Sequence, residues 1–80
     1  MDIKVLGPGC PKCAKVEERV RASLAALGLA AEVEKVTDIR RMIGYGILAT
    51  PGLVIDGQVK SSGRIPRVEE IVAWIREAAR

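Results

Sequence analysis

Cys10 and Cys13 are the only two cysteines of the chain, and they stand two residues apart in the run Gly9-Cys10-Pro11-Lys12-Cys13. If the first thiol precedes a helix and the second lies in its first turn, the pair can close a small disulfide and hold two electrons reversibly. The same spacing could instead offer two soft thiolates to zinc or copper(I). A third reading is a static staple, but a bond across so short a loop would stabilise little. Histidine is absent, and neither Met1 nor Met42 is placed by sequence to complete a metal site, so no metal ligands are assigned.

Local pattern separates the two thiols. Pro11 suits the first position of a helix, where its fixed φ matches the helix and its missing N–H costs nothing. Cys10 is then the N-cap, where the positive end of the helix dipole and unpaired backbone N–H groups favour a thiolate. Lys12 adds a positive charge nearby. Cys13, Val16, Val20, Leu24 and Leu27 recur at three- and four-residue steps and mark one apolar helix face. The pattern predicts an accessible attacking thiolate at Cys10 and a shielded resolving thiol at Cys13.

The flanking elements must hold that pair in place. Asp2 to Leu6 alternates as a strand with Ile3 and Val5 on one face, and Gly7-Pro8-Gly9 breaks it. The helix after the cysteines runs to about Leu27, with Gly28 as its C-cap. Ala31 to Val36 reads as a second strand, loaded with Glu32, Glu34 and Lys35 as an edge strand would be. Thr37-Asp38 caps a short helix that turns Ile39, Met42 and Ile43 inward and ends at Gly44 or Gly46. Thr50-Pro51 interrupts the chain before Leu53-Val54-Ile55, whose unbroken apolar character suits a central strand covered on both faces. Asp56-Gly57 supplies a two-residue type I′ hairpin turn into Gln58-Val59-Lys60. Ser61-Ser62-Gly63 reads as a loop, and Pro66 as the start of a last helix with Val68, Ile71, Val72, Ile75 and Ala78 or Ala79 on its buried face. Trp74 borders that face as a packing residue.

The order is βαβαββα. The first two strands are expected parallel, joined by a right-handed helical crossover, and the hairpin makes the last two antiparallel. Eighty residues suffice for one small domain, residues 1–80. With 49% hydrophobic and 29% charged residues the chain reads as globular, and no apolar run approaches the ~18 residues that span a bilayer. Met1-Asp2-Ile3-Lys4 lacks the basic start and long apolar stretch of a secretory leader, so the expected location is cytoplasmic. In such a reducing compartment a pair of cysteines at this spacing is catalytic or metal-binding rather than structural. The net charge of +3 is spread among carboxylates, and Tyr45 and Trp74 are the only aromatic residues. That pattern describes a mixed solvated surface and speaks against a nucleic-acid or membrane partner.

The whole chain resembles the thioredoxin-like superfamily in its smallest form, a four-stranded mixed sheet packed with three helices. Gly9 to Cys13, Tyr45-Gly-Ile-Leu-Ala-Thr-Pro51, Val54-Ile-Asp-Gly57 and Gly63-Arg-Ile-Pro66 together look like the small thioredoxin- or glutaredoxin-like redox-active disulfide proteins of archaea and bacteria. The resemblance implies a protein disulfide oxidoreductase whose only cofactor is its own Cys10–Cys13 dithiol. It implies disulfide-containing protein substrates and a thioredoxin-reductase-like electron donor. By the same resemblance Pro51 follows a cis peptide bond and faces the cysteines, Thr50 offers its backbone to a substrate polypeptide, and Pro11 and Lys12 support the site. The chain departs from ordinary thioredoxins in lacking the tryptophan before the first cysteine. Its first strand also carries no acid beyond Asp2, so the buried carboxylate that assists the resolving thiol there has no clear counterpart in this chain. The competing readings are a zinc or copper thiolate module and a thioredoxin-like interaction domain without turnover.

Overall fold

A computed structural model describes residues 1–9 and 11–79. The elements follow the expected order: β1 (Asp2–Leu6), α1 (Pro11–Leu27), β2 (Glu32–Val36), α2 (Ile39–Gly44), β3 (Gly52–Ile55), β4 (Gln58–Ser62) and α3 (Val68–Ala78). They form one four-stranded sheet in the order β2-β1-β3-β4. β1 runs parallel to β2 and antiparallel to β3, and β3 runs antiparallel to β4. The charged β2 lies at one edge, and the two interior strands are the most apolar.

Alternation along the strands sorts the core into two layers. Ile3 and Val5 of β1 and Leu53 and Ile55 of β3 face α1 and α3, where Val16, Val20, Leu24, Ile71 and Ile75 meet them. Leu6, Val36 and Val54 point to the opposite face, covered by Met42 of α2 and Ile47 of the loop after it. All four residues of β3 are buried, as an interior strand with both faces covered requires. Arg19 of α1 donates from its guanidinium to the Pro66 carbonyl at 3.0 Å, which ties the approach to α3 onto α1.

Three local expectations are corrected. Ser61 and Ser62 belong to β4 rather than to a loop. Val54 pairs with Val59 but Leu53 pairs with Ser61, so a bulge at Lys60 absorbs one residue and the strand continues past it. The last helix begins at Val68, not Pro66, because Arg67 is extended (φ −77°, ψ 154°) and its N–H donates to the Glu70 carboxylate at 3.1 Å. Finally, α2 buries Met42 alone, while Ile39 and Ile43 are each 66% exposed. With six residues this helix is under two turns long, so one side chain reaches the sheet and its isoleucines turn outward.

Candidate active site

The site forms where β1 ends and β3 begins. These two interior strands are antiparallel neighbours with Leu6 opposite Gly52, so the loop leaving β1 and the loop entering β3 emerge at the same end of the sheet. Gly7 continues β1, its N–H donating to the Val36 carbonyl at 2.9 Å. Pro8 and Gly9 are exposed, and Gly9 has φ 88°, a left-handed conformation that glycine adopts without steric cost. The chain then enters α1 with Pro11 as its first residue.

Cys10, assigned from sequence as the attacking thiol, lies outside the described residues. Pro11 and Lys12 are exposed, whereas Cys13 is only 6% exposed at the head of the buried face of α1. Its sulfur packs against Gly7 so closely that a Cβ built on Gly7 would overlap it, and the same Cβ would stand 3.9 Å from the Cβ of Thr50. Gly7 is therefore the point where Cys13 and the loop before β3 converge. The Thr50–Pro51 peptide bond is cis. Thr50 is exposed and Pro51 is buried. The Pro51 carbonyl accepts from the Gly63 N–H at 2.9 Å, which clamps this loop to the end of β4.

Cys13 also borders a cavity on the β2 side. A cavity of about 70 Å³ lies among Gly7, Cys13, Ala14, Glu17, Lys35 and Thr37. Glu17, one turn beyond Cys13, has a side chain only 15% exposed. Its Oε2 accepts from Arg21 at 2.8 and 3.3 Å, and its Oε1 lies 3.2 Å from Lys35 Nζ. The hydrogen bond from Arg21 holds the carboxyl below its usual range, with Lys35 adding to the effect and burial opposing it. The sequence reading singled out neither Glu17 nor its pairing with Lys35. The available signal was the four-residue step from Cys13, which places Glu17 on the same side of the helix. Among the described residues no three His, Cys, Asp or Glu side chains gather closely enough to hold a metal ion.

A four-stranded mixed sheet with three helices and a cysteine site at a strand-to-helix junction is the architecture of the thioredoxin domain, whose family model matches residues 1–76, and the chain belongs to that family. It is similar to the thioredoxin of Methanothermobacter thermautotrophicus, with 38% identity over 71 residues that cover 89% of this chain and 92% of that protein. The thioredoxin of Methanocaldococcus jannaschii is 41% identical over 69 residues, covering 86% of this chain and 79% of the relative. These relationships make the chain a small thioredoxin-like redox protein. No helix among the described residues is long and apolar enough to cross a membrane.

Proposed function

We propose that the protein is a disulfide oxidoreductase that works by thiol–disulfide exchange through Cys10 and Cys13. The observation that carries this reading is the shielded Cys13 sulfur lying against Gly7, with Thr50 at the same end of the sheet. The Cys10 thiolate attacks a substrate disulfide and releases one thiol, leaving a mixed disulfide. Cys13 then displaces the second thiol and closes the Cys10–Cys13 bond. The dithiol is the only cofactor this chemistry requires.

The exposed Thr50, next to the buried Pro51, suits docking of an extended segment of a substrate protein, and Pro11 and Lys12 shape the entry to the thiols. A thioredoxin-reductase-like donor in a reducing, cytoplasmic compartment would return the pair to the dithiol. Turnover of a model protein disulfide tests the roles. Cys10→Ser abolishes reduction, while Cys13→Ser accumulates mixed disulfides detectable by intact mass. Undiminished turnover in Cys10→Ser would overturn the mechanism. The reduction potential of the pair sets its direction, a value near the roughly −270 mV of thioredoxins marking a reductant and one near −120 mV an oxidant.

A further inference from the structure

Gly63 follows β4 and touches the loop that carries Thr50 and Pro51. Its N–H donates to the Pro51 carbonyl at 2.9 Å. A Cβ built on Gly63 would stand 3.0 Å from the Cβ of Ala49, closer than the roughly 3.5–4.0 Å at which carbon atoms pack. Resting on the exchange reading above, we propose that Gly63, delivered to Pro51 by the extra residue Lys60 in β4, is the positioning residue for substrate docking and fixes where Thr50 stands beside Cys13.

Strand register delivers Gly63 to this place. Ile55 faces Gln58 and Val54 faces Val59, but Leu53 faces Ser61 and Gly52 faces Ser62. Continued by one residue, the second pairing sets Pro51 opposite Gly63, whereas the first would set it opposite Ser62. The bulge at Lys60 thus exchanges a serine for a glycine at the end of the ladder. The exchange matters because Gly63 has φ 76°, a conformation that a residue with a Cβ adopts only at a steric cost. Ala49 has no side-chain torsion with which to move aside, so a methyl group at position 63 would shift the backbone of the loop itself.

That shift is felt at Thr50, which follows Ala49 directly and is exposed. On its other side Thr50 lies against Gly7, where a Cβ would stand 3.9 Å from the Cβ of Thr50. The loop is thus seated between Gly63 and Gly7, and Gly7 packs on the Cys13 sulfur. An extended segment of a substrate protein draws its affinity from main-chain hydrogen bonds, so a displaced Thr50 backbone weakens capture of a polypeptide. A small disulfide with no polypeptide to dock loses nothing.

Substrates that share a coloured leaving thiol separate docking from chemistry in single-turnover stopped flow. One is a bare aromatic disulfide, and the other joins the same aromatic thiol through a disulfide to a cysteine within an extended peptide. With the peptide, the Cys10 sulfur bonds to the peptide sulfur, and the coloured thiolate leaves with the electron pair of the broken bond. Gly63→Ala is expected to raise the half-saturating peptide concentration about tenfold, the scale of one lost hydrogen bond. The limiting rate and the rate with the bare disulfide stay unchanged. Gly63→Asn, which tolerates positive φ but carries the same Cβ, behaves likewise. Adding Ala49→Gly to either variant removes the atom that the new Cβ meets and restores peptide capture. Unchanged peptide saturation, a loss confined to Gly63→Ala, an equal loss with both substrates, or no recovery with Ala49→Gly overturns the role of Gly63 and leaves the exchange mechanism standing. Release of no coloured thiol by the unsubstituted protein overturns the exchange mechanism itself.

Discussion

Gly7 and Cys13 are in contact through the sulfur: a methyl group at Gly7 would overlap Sγ and lie 3.3 Å from the Cys13 Cβ. Gly7 is buried at the end of β1, and its N–H is held by Val36, so its backbone has little freedom to retreat. Gly7→Ala is therefore expected to destabilise the fold by about 1–3 kcal/mol, as overpacking of a core does. It should also displace the Cys13 sulfur. Thermal unfolding together with alkylation of the reduced protein checks both effects, and unchanged stability with unchanged Cys13 protection would contradict the contact.

The outward turn of α2 gives a second prediction. Ile39→Ser and Ile43→Ser are each expected to change stability by no more than about 0.5 kcal/mol, the range of ordinary surface substitutions. Met42→Ala, which empties a buried position between α2 and the sheet, is expected to cost about 2 kcal/mol or more. Urea unfolding of the three variants distinguishes this arrangement from one in which the isoleucines form the core.

The start of α3 carries a pH dependence. Arg64 grips Glu70 with two hydrogen bonds of 3.0 and 2.9 Å, and the Arg67 N–H adds a third. These contacts, Arg64 first, lower the Glu70 carboxyl to about 2. In the unfolded chain an ordinary glutamate titrates near 4.3. Because the folded value is the lower one, the contribution of Glu70 is fully present above about pH 4.3 and is lost as pH falls toward 2. Glu70→Gln should thus lower the melting temperature at neutral pH, and the gap should close between pH 4.3 and 2. A gap independent of pH over that range would show that the charge of Glu70 is not what holds the helix start.

The periodic elements were legible in the sequence because their signals are local. The period of Cys13, Val16, Val20 and Leu24 identified both the helix and the burial of the second thiol. Asp56-Gly57 announced the hairpin turn, and both residues have positive φ, 48° and 82°. The continuous run Leu53-Val54-Ile55 marked an interior strand. What escaped depended on neighbours distant in the chain. The inward reading of Ile39 and Ile43 failed because apolar periodicity cannot show that so short a helix touches the sheet through one residue. The extension of β4 through Ser62 depends on a bulge, which has no hydrophobic signature. Glu17 was unremarkable in sequence because its significance requires Lys35 to arrive from β2, and the partner of a charged residue is set by tertiary packing.

Leu6 is paired on one side with Val36 and on the other with Gly52, so three strands are held in phase at the level where the thiol loop departs. Slipping either ladder by two residues would carry the two halves of the site about 7 Å apart, with nothing in between to correct the error. The gauge of the reactive end is thus inherited from hydrogen-bonded strands and owes little to the loops that decorate it. Exchange of exposed residues such as Pro8 and Leu48 leaves the register of Leu6 with Val36 and Gly52 untouched.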